Sequence, residues 1–153
     1  MFHQDHSLTG IARQVMISAF FLDKMLNRVL KTEVDLSAAQ FRMLAGLYFH
    51  GKTPQSQLAK MWDIAESSAK RQIDLLHTRE FIRFDTSTPG RSVPIELTDA
   101  GIGVVRQSLE HISQVLDEKC RSLSEEDRKS LGLLLHKFTA GLKDEFTDAC
   151  KTK

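Results

Sequence analysis

Ser67, Ser68, Lys70, Arg71, Asp74 and Thr78 gather hydroxyl, ammonium, guanidinium and carboxylate groups into one short stretch. At about 100° per residue, Ser67, Arg71, Asp74 and Thr78 share a narrow arc of a helix, with Lys70 on its flank. These groups donate hydrogen bonds and carry charge, and nothing nearby pairs a nucleophile with a base. The chain has no glycine-rich phosphate loop, no nucleophile elbow and no paired-cysteine metal motif, so its sequence does not read as an enzyme. The chemistry on offer is recognition. A solvated polar face would look the same in isolation, so the reading depends on the elements that hold this arc.

The face opposite the arc carries Ala69, Ile73 and Leu76 at i, i+4 and i+7, one core-facing stripe on a helix from about 65 to 79. Before it, Thr53-Pro54 predicts the start of a shorter helix, with a hydroxyl cap and a proline in the first helical position. Leu58, Ala59, Met61 and Trp62 give that helix an apolar side, and Asp63-Ile64-Ala65-Glu66 breaks the periodicity. After it, Phe81 to Asp85 and Val93 to Leu97 read as two strands joined through Thr86-Ser87-Thr88-Pro89-Gly90, with Arg91 near the tip. Helix, tight turn, outward-facing helix and hairpin make a winged helix-turn-helix, whose second helix enters the major groove of DNA.

The chain resembles the multiple-antibiotic-resistance regulator (MarR) family of winged-helix transcription factors. The residues that carry the resemblance are Leu36-Ser37-x-x-Gln40-Phe41, Leu58-Ala59 and Ser67-Ser68-Ala69-Lys70-Arg71-x-Ile73-Asp74-x-Leu76. Arg91 with Val93-x-Ile95-x-Leu97-Thr98-x-x-Gly101 is the most specific part. The resemblance implies a homodimeric repressor that binds a palindromic operator and is released by a small aromatic or phenolic effector held between dimer helices and winged module. It also implies that Asp74 orients neighbouring basic residues rather than touching DNA. Three departures stand out. Ala65 replaces a hydroxyl cap, at a cost of about 1 kcal/mol. Glu80 replaces a glycine, so a left-handed exit would be strained by about 1–2 kcal/mol. Pro89-Gly90 replaces an aspartate that would orient Arg91.

The 153 residues suit a single domain with a real core; 41% are hydrophobic and 27% charged, which excludes a disordered chain. No apolar run nears the roughly 20 residues needed to cross a bilayer, and no signal peptide is visible, so a cytoplasmic protein is expected. The net charge is +1, and between Lys52 and Leu97 seven Lys/Arg face six Asp/Glu. Nucleic-acid binding must therefore rest on where the charges point.

The rest of the chain reads as helices. From 7 to 31, Ile11, Val15, Leu22, Met25 and Val29 form a stripe that Met16, Phe20, Phe21, Leu26 and Leu30 widen beyond what a small monomer can bury. Ser37 with Gln40 predicts a capping box, and Gly51 an exit, for a helix over 35–50. Thr98 caps a helix to about 121, on whose buried stripe Cys120 falls. Ser124 caps a last one, with Leu131, Leu135, Phe138, Leu142 and Phe146 as its stripe. The expected architecture is mostly α with a small β-hairpin wing. A winged lobe spans about 36–98, with dimerisation helices over about 7–31 and 98–149.

Ser67, Ser68, Lys70, Arg71, Thr78 and Arg91 are the candidate DNA contacts, and Arg83 is equally suited to an ion pair. Trp62 is expected in the core rather than in a ligand site. No metal or cofactor is expected: His3 and His6 lack further ligands at a useful spacing, and His50, His77, His111 and His136 form no linear motif. Cys120 and Cys150 make no disulfide framework. An alternative function for the same fold is a protein-interaction module without specific DNA binding.

Overall fold

A computed structural model describes residues 6–62, 64–87 and 93–149, with side chains described up to 143. Its elements run α1 (Leu8–Glu33), α2 (Ala38–His50), β1 (Thr53–Pro54), α3 (Gln55–Met61), α4 (Glu66–Thr78), β2 (Ile82–Phe84), β3 (Pro94–Leu97), α5 (Asp99–Lys119) and α6 (Glu125–Ala149). The mostly helical class with a small β wing is what the sequence predicts. The chain divides into two compact units, Met1–Ser113 and Gln114–Lys153. No helix among the described residues is long and apolar enough to cross a membrane.

The wing differs from the expected hairpin. It is a three-stranded antiparallel sheet of order β1-β3-β2, pairing Thr53 with Ile95, Phe84 with Ile95 and Ile82 with Leu97. Thr53 does not cap α3. It is buried, and its hydroxyl donates to the Gly51 carbonyl at 2.9 Å. The residue before a proline is pushed to extended backbone by the proline ring, so Thr53 joins β3 and the helix begins at Gln55.

Helix ends elsewhere follow their residue types. Ser7 caps α1, and Ser37 with Gln40 completes the capping box of α2. Leu30, Leu36, Leu44, Leu58, Leu76, Ile95 and Val105 are fully buried and hold the first unit together. Ala69, Ile73 and Leu76 turn α4 onto that core.

The exit of α4 is a Schellman motif built on a glutamate. Glu80 donates to the His77 carbonyl at 2.9 Å and Phe81 to the Leu76 carbonyl at 3.1 Å, with Glu80 at φ 59. Thr98 then ties this exit to α5. Its hydroxyl donates to the Glu80 carbonyl at 2.6 Å and accepts from Gly101 N–H at 3.1 Å, while its own N–H donates to the Phe81 carbonyl at 3.1 Å.

Two side chains expected inside lie outside. Trp62 is 39% exposed, because it is the C-cap of a seven-residue helix that ends just before it. Cys120 is exposed: α5 stops at Lys119, and Cys120 lies in the turn that follows, where the apolar stripe no longer runs. Cys150, Phe146's side chain, His3 and the wing tip 88–92, with Arg91, lie outside the described residues.

In the second unit, Ser124 and Asp127 cap α6 reciprocally: Asp127 N–H donates to the Ser124 hydroxyl at 3.1 Å, and Ser124 N–H to the Asp127 carboxylate at 2.9 Å. The bonds from Ser124 to its carboxylate hold the Asp127 carboxyl below its ordinary range. Leu131, Leu133, Leu134, Leu135 and Leu142 of α6 are exposed.

A Cβ on Gly101 would lie 2.0 Å from the Phe81 carbonyl oxygen, whereas one on Gly103 would meet nothing within 4 Å. Gly101→Ala is therefore expected to destabilise the fold by about 2 kcal/mol or more. Gly103→Ala should stabilise it by up to about 1 kcal/mol through helix propensity. Urea unfolding of both variants measures the difference, and equal midpoints would contradict the close approach.

Candidate nucleic-acid interface

The buried stripe of α4 fixes which side chains it presents outward. Ser67, Ser68, Lys70, Arg71, Asp74 and Thr78 are all exposed, as the periodicity predicts. Thr78 spends its hydroxyl proton on the Asp74 carbonyl at 2.9 Å, so it offers a partner lone pairs rather than a donor. Ala65 makes no side-chain cap, in keeping with its residue type, and Glu66 alone supplies an acid to the first turn. Lys70 and Arg71 make no ion pair or hydrogen bond among the described residues.

The sheet treats its cations differently. Arg83 Nε lies 2.7 Å from Glu96 Oε1, its cross-strand partner, so the ion-pair reading of Arg83 is the one the structure shows. Lys52, on the segment leading into β1, bonds Asp85 and lies 3.6 Å from Glu96. Asp85 uses its other oxygen to accept from Ser87 N–H at 2.9 Å and from the Ser87 hydroxyl, an Asx turn where the wing leaves β2. Lys52, then Ser87, hold the Asp85 carboxyl well below the usual carboxylate range. Arg83, by its hydrogen bond, likewise lowers that of Glu96. Both cations are correspondingly harder to deprotonate.

Sequence pattern does not announce this lattice. Lys52 and Asp85 are far apart in the chain and share no periodicity. The Arg83–Glu96 pair, by contrast, follows from the hairpin register alone.

An open cleft of about 580 Å³ lies among the N-terminal ends of α3 and α4 and the base of the wing, lined by Gln55, Ser56, Ala59, Glu66, Phe84, Thr86 and Val93. Among the described residues its lining carries one acid, Glu66, and no base. Among the described residues no group of three His, Cys, Asp or Glu side chains could hold a metal. His77 instead packs against Phe84 with ring centroids 5.0 Å apart, and His111 lies 3.9 Å from Glu33.

Residues 36–89 match the family model described as MarR family. A curated relative, the HTH-type transcriptional repressor NicR of Pseudomonas putida, is 27% identical over 106 residues, 68% of this chain and 66% of that protein, so the match spans just under two thirds of the relative. A MarR family protein from Bacillus stearothermophilus superposes with a TM-score of 0.79 at 17% identity, covering 94% of this chain and 99% of that one. A mutant MarR from E. coli complexed with operator DNA gives a TM-score of 0.68 at 21% identity, covering 90% and 99%. At such identities the solved structures establish the fold, and what each binds is a fact about that protein.

Because the Asp85 carboxyl is held below its unfolded value, its contribution to stability is complete above the ordinary carboxylate pKa, about 3.9, and is lost as the pH falls toward the folded value. Asp85→Asn should therefore be less stable than the wild type at neutral pH, with the gap closing only in strong acid. Urea midpoints measured from pH 7 downward give the gap, and a difference that grows on acidification would contradict this assignment.

Proposed function

From the premise that this is a MarR-family winged helix, we propose that the chain is a dimeric, sequence-specific DNA-binding regulator of transcription rather than an enzyme. The carrying observation is how its cations are sorted. Lys52 and Arg83 are already paired with Asp85 and Glu96 on the sheet, while Lys70 and Arg71 stand unpaired among the described residues on the exposed face of α4. In a nearly neutral protein, those are the positive charges that α4 itself presents for phosphates and base edges.

In this reading Arg71 bridges the O6 and N7 acceptors of a guanine in the major groove, while Ser67, Ser68, Lys70 and Thr78 contact neighbouring bases and phosphates. Arg91 reaches the minor groove or its phosphates from the wing.

Dimerisation is supported by surface that water tolerates poorly. Leu8 and Met16 of α1 are 75% and 73% exposed, and Phe20, Phe21 and the α6 leucines are exposed as well. A two-fold pairing through α1 (about 7–31) and the helices over 98–149 would set two copies of α4 roughly 34–36 Å apart, one turn of DNA. The winged lobe, about 36–98, then does the reading.

The family likeness supports repression and release by a small aromatic effector. Such a regulator works in the cytoplasm, on a palindromic operator.

Arg71→Ala is expected to weaken the selected duplex by about 1–3 kcal/mol while changing random duplex far less. Arg91→Ala should weaken both duplexes evenly and reduce the salt slope by about 0.9 for each phosphate it no longer neutralises. Salt titrations of both variants on selected and scrambled duplexes decide. Should neither substitution alter affinity on either duplex, the DNA reading falls, and capture of a protein partner without DNA would favour an interaction module.

A further inference from the structure

Arg79, the C-cap of α4, turns its guanidinium away from the face proposed for DNA. Its two terminal nitrogens donate to the carbonyl oxygens of Asp35 at 2.7 Å and Val34 at 3.4 Å. The guanidinium carbon lies 4.7 Å above the centre of the Phe81 ring. Val34 is the C-cap of α1, so Arg79 grips the end of another helix, where orphan carbonyls and the helix dipole favour a cation. Among the described residues, the non-glycine positions with positive φ are Asp35 at 51° and Glu80 at 59°. One carries an acceptor of this bridge and the other follows the bridging residue. The chain thus accepts two left-handed side-chain-bearing residues at the place where α1 and α4 are tied.

We propose that Arg79 is a positioning residue that fixes the angle between α1 and α4. Through α1-mediated pairing of two copies, it sets the half-site spacing the dimer accepts. The second half rests on the DNA-binding dimer proposed above; the first does not. Arginine suits the task because its planar fork serves two carbonyls at once, where a lysine serves as a point charge. It also follows that Arg79 gives no charge to DNA, despite its place at the end of the recognition helix.

Two measurements test this on the full chain. Nitroxide labels at Arg28→Cys on α1 and Asp74→Cys on α4, in a Cys120→Ser, Cys150→Ser background diluted with unlabelled protein, report the intrachain distance without DNA. A narrow distribution is expected for the otherwise unaltered chain, a broad one for Arg79→Met, which keeps an unbranched apolar stem but no donor, and an intermediate one for Arg79→Lys. An unchanged distribution in Arg79→Met overturns the proposal whatever the DNA result.

The second measurement places selected half-sites a base pair closer or farther apart. Without the labels, the Arg79-containing chain should lose roughly tenfold in affinity off the optimal spacing. Arg79→Met should flatten that preference while keeping the same salt slope. A retained preference, or a lower slope, overturns the link to spacing. If the unaltered chain prefers no duplex, the DNA reading has failed, and the label distances alone decide the role of Arg79.

Discussion

The carbonyl oxygen of Phe81 is the point on which the winged unit turns. It accepts the N–H of Thr98 and lies where only a glycine, Gly101, can pass. One close approach therefore fixes three things together: how the chain leaves α4, where β2 begins and how α5 is seated. The Schellman exit through Glu80 feeds the same point, and the Thr98 hydroxyl holds the Glu80 carbonyl in place. A left-handed glutamate is tolerable here because its neighbours over-determine it. The pattern Thr98-x-x-Gly101, in sequence a family likeness, is in physical terms a hydroxyl clamp and an absent side chain facing the same turn.

Much of this is legible in the sequence because it is local. The α4 stripe, the capping box at Ser37 and Gln40, the caps at Thr98 and Ser124, and the left-handed exit at Glu80 each involve residues close together in the chain. What the sequence hides depends on partners distant along it. Two residues of β1 carry no strand periodicity and exist as a strand only because β3 lies beside them. Periodicity puts Trp62 and Cys120 on apolar stripes, but each sits just past the end of its helix, where periodicity stops predicting direction. The ion pairs of Lys52 join segments that no spacing rule connects.

Net charge is a poor guide to such a surface. A count over the winged segment finds near balance, but it does not show which charges are already spent: Asp85 and Glu96 sit on Lys52 and Arg83. The acids stiffen the base of the wing and leave Lys70 and Arg71 on α4 unpaired among the described residues, with Glu66 and Asp74 exposed on the same helix. Non-specific attraction to any polyanion would then be weak, and discrimination would come from a few well-held donors rather than from a broad field.

The sheet ends in β1, two residues long, and the second of them is Pro54. An edge strand normally offers a row of amide hydrogens on which a stray chain can crystallise into cross-β. Here the outer row is as short as a strand can be, and proline has no hydrogen to contribute. A molecule that leaves so many leucines and phenylalanines on its helices uncovered is sticky by construction. The proline-ended strand blunts one of the sheet's two edges as a backbone template for fibrils, and the other, β2, is only three residues long. In the proposed dimer that stickiness would therefore find its outlet between helical side chains, where shape selects the mate.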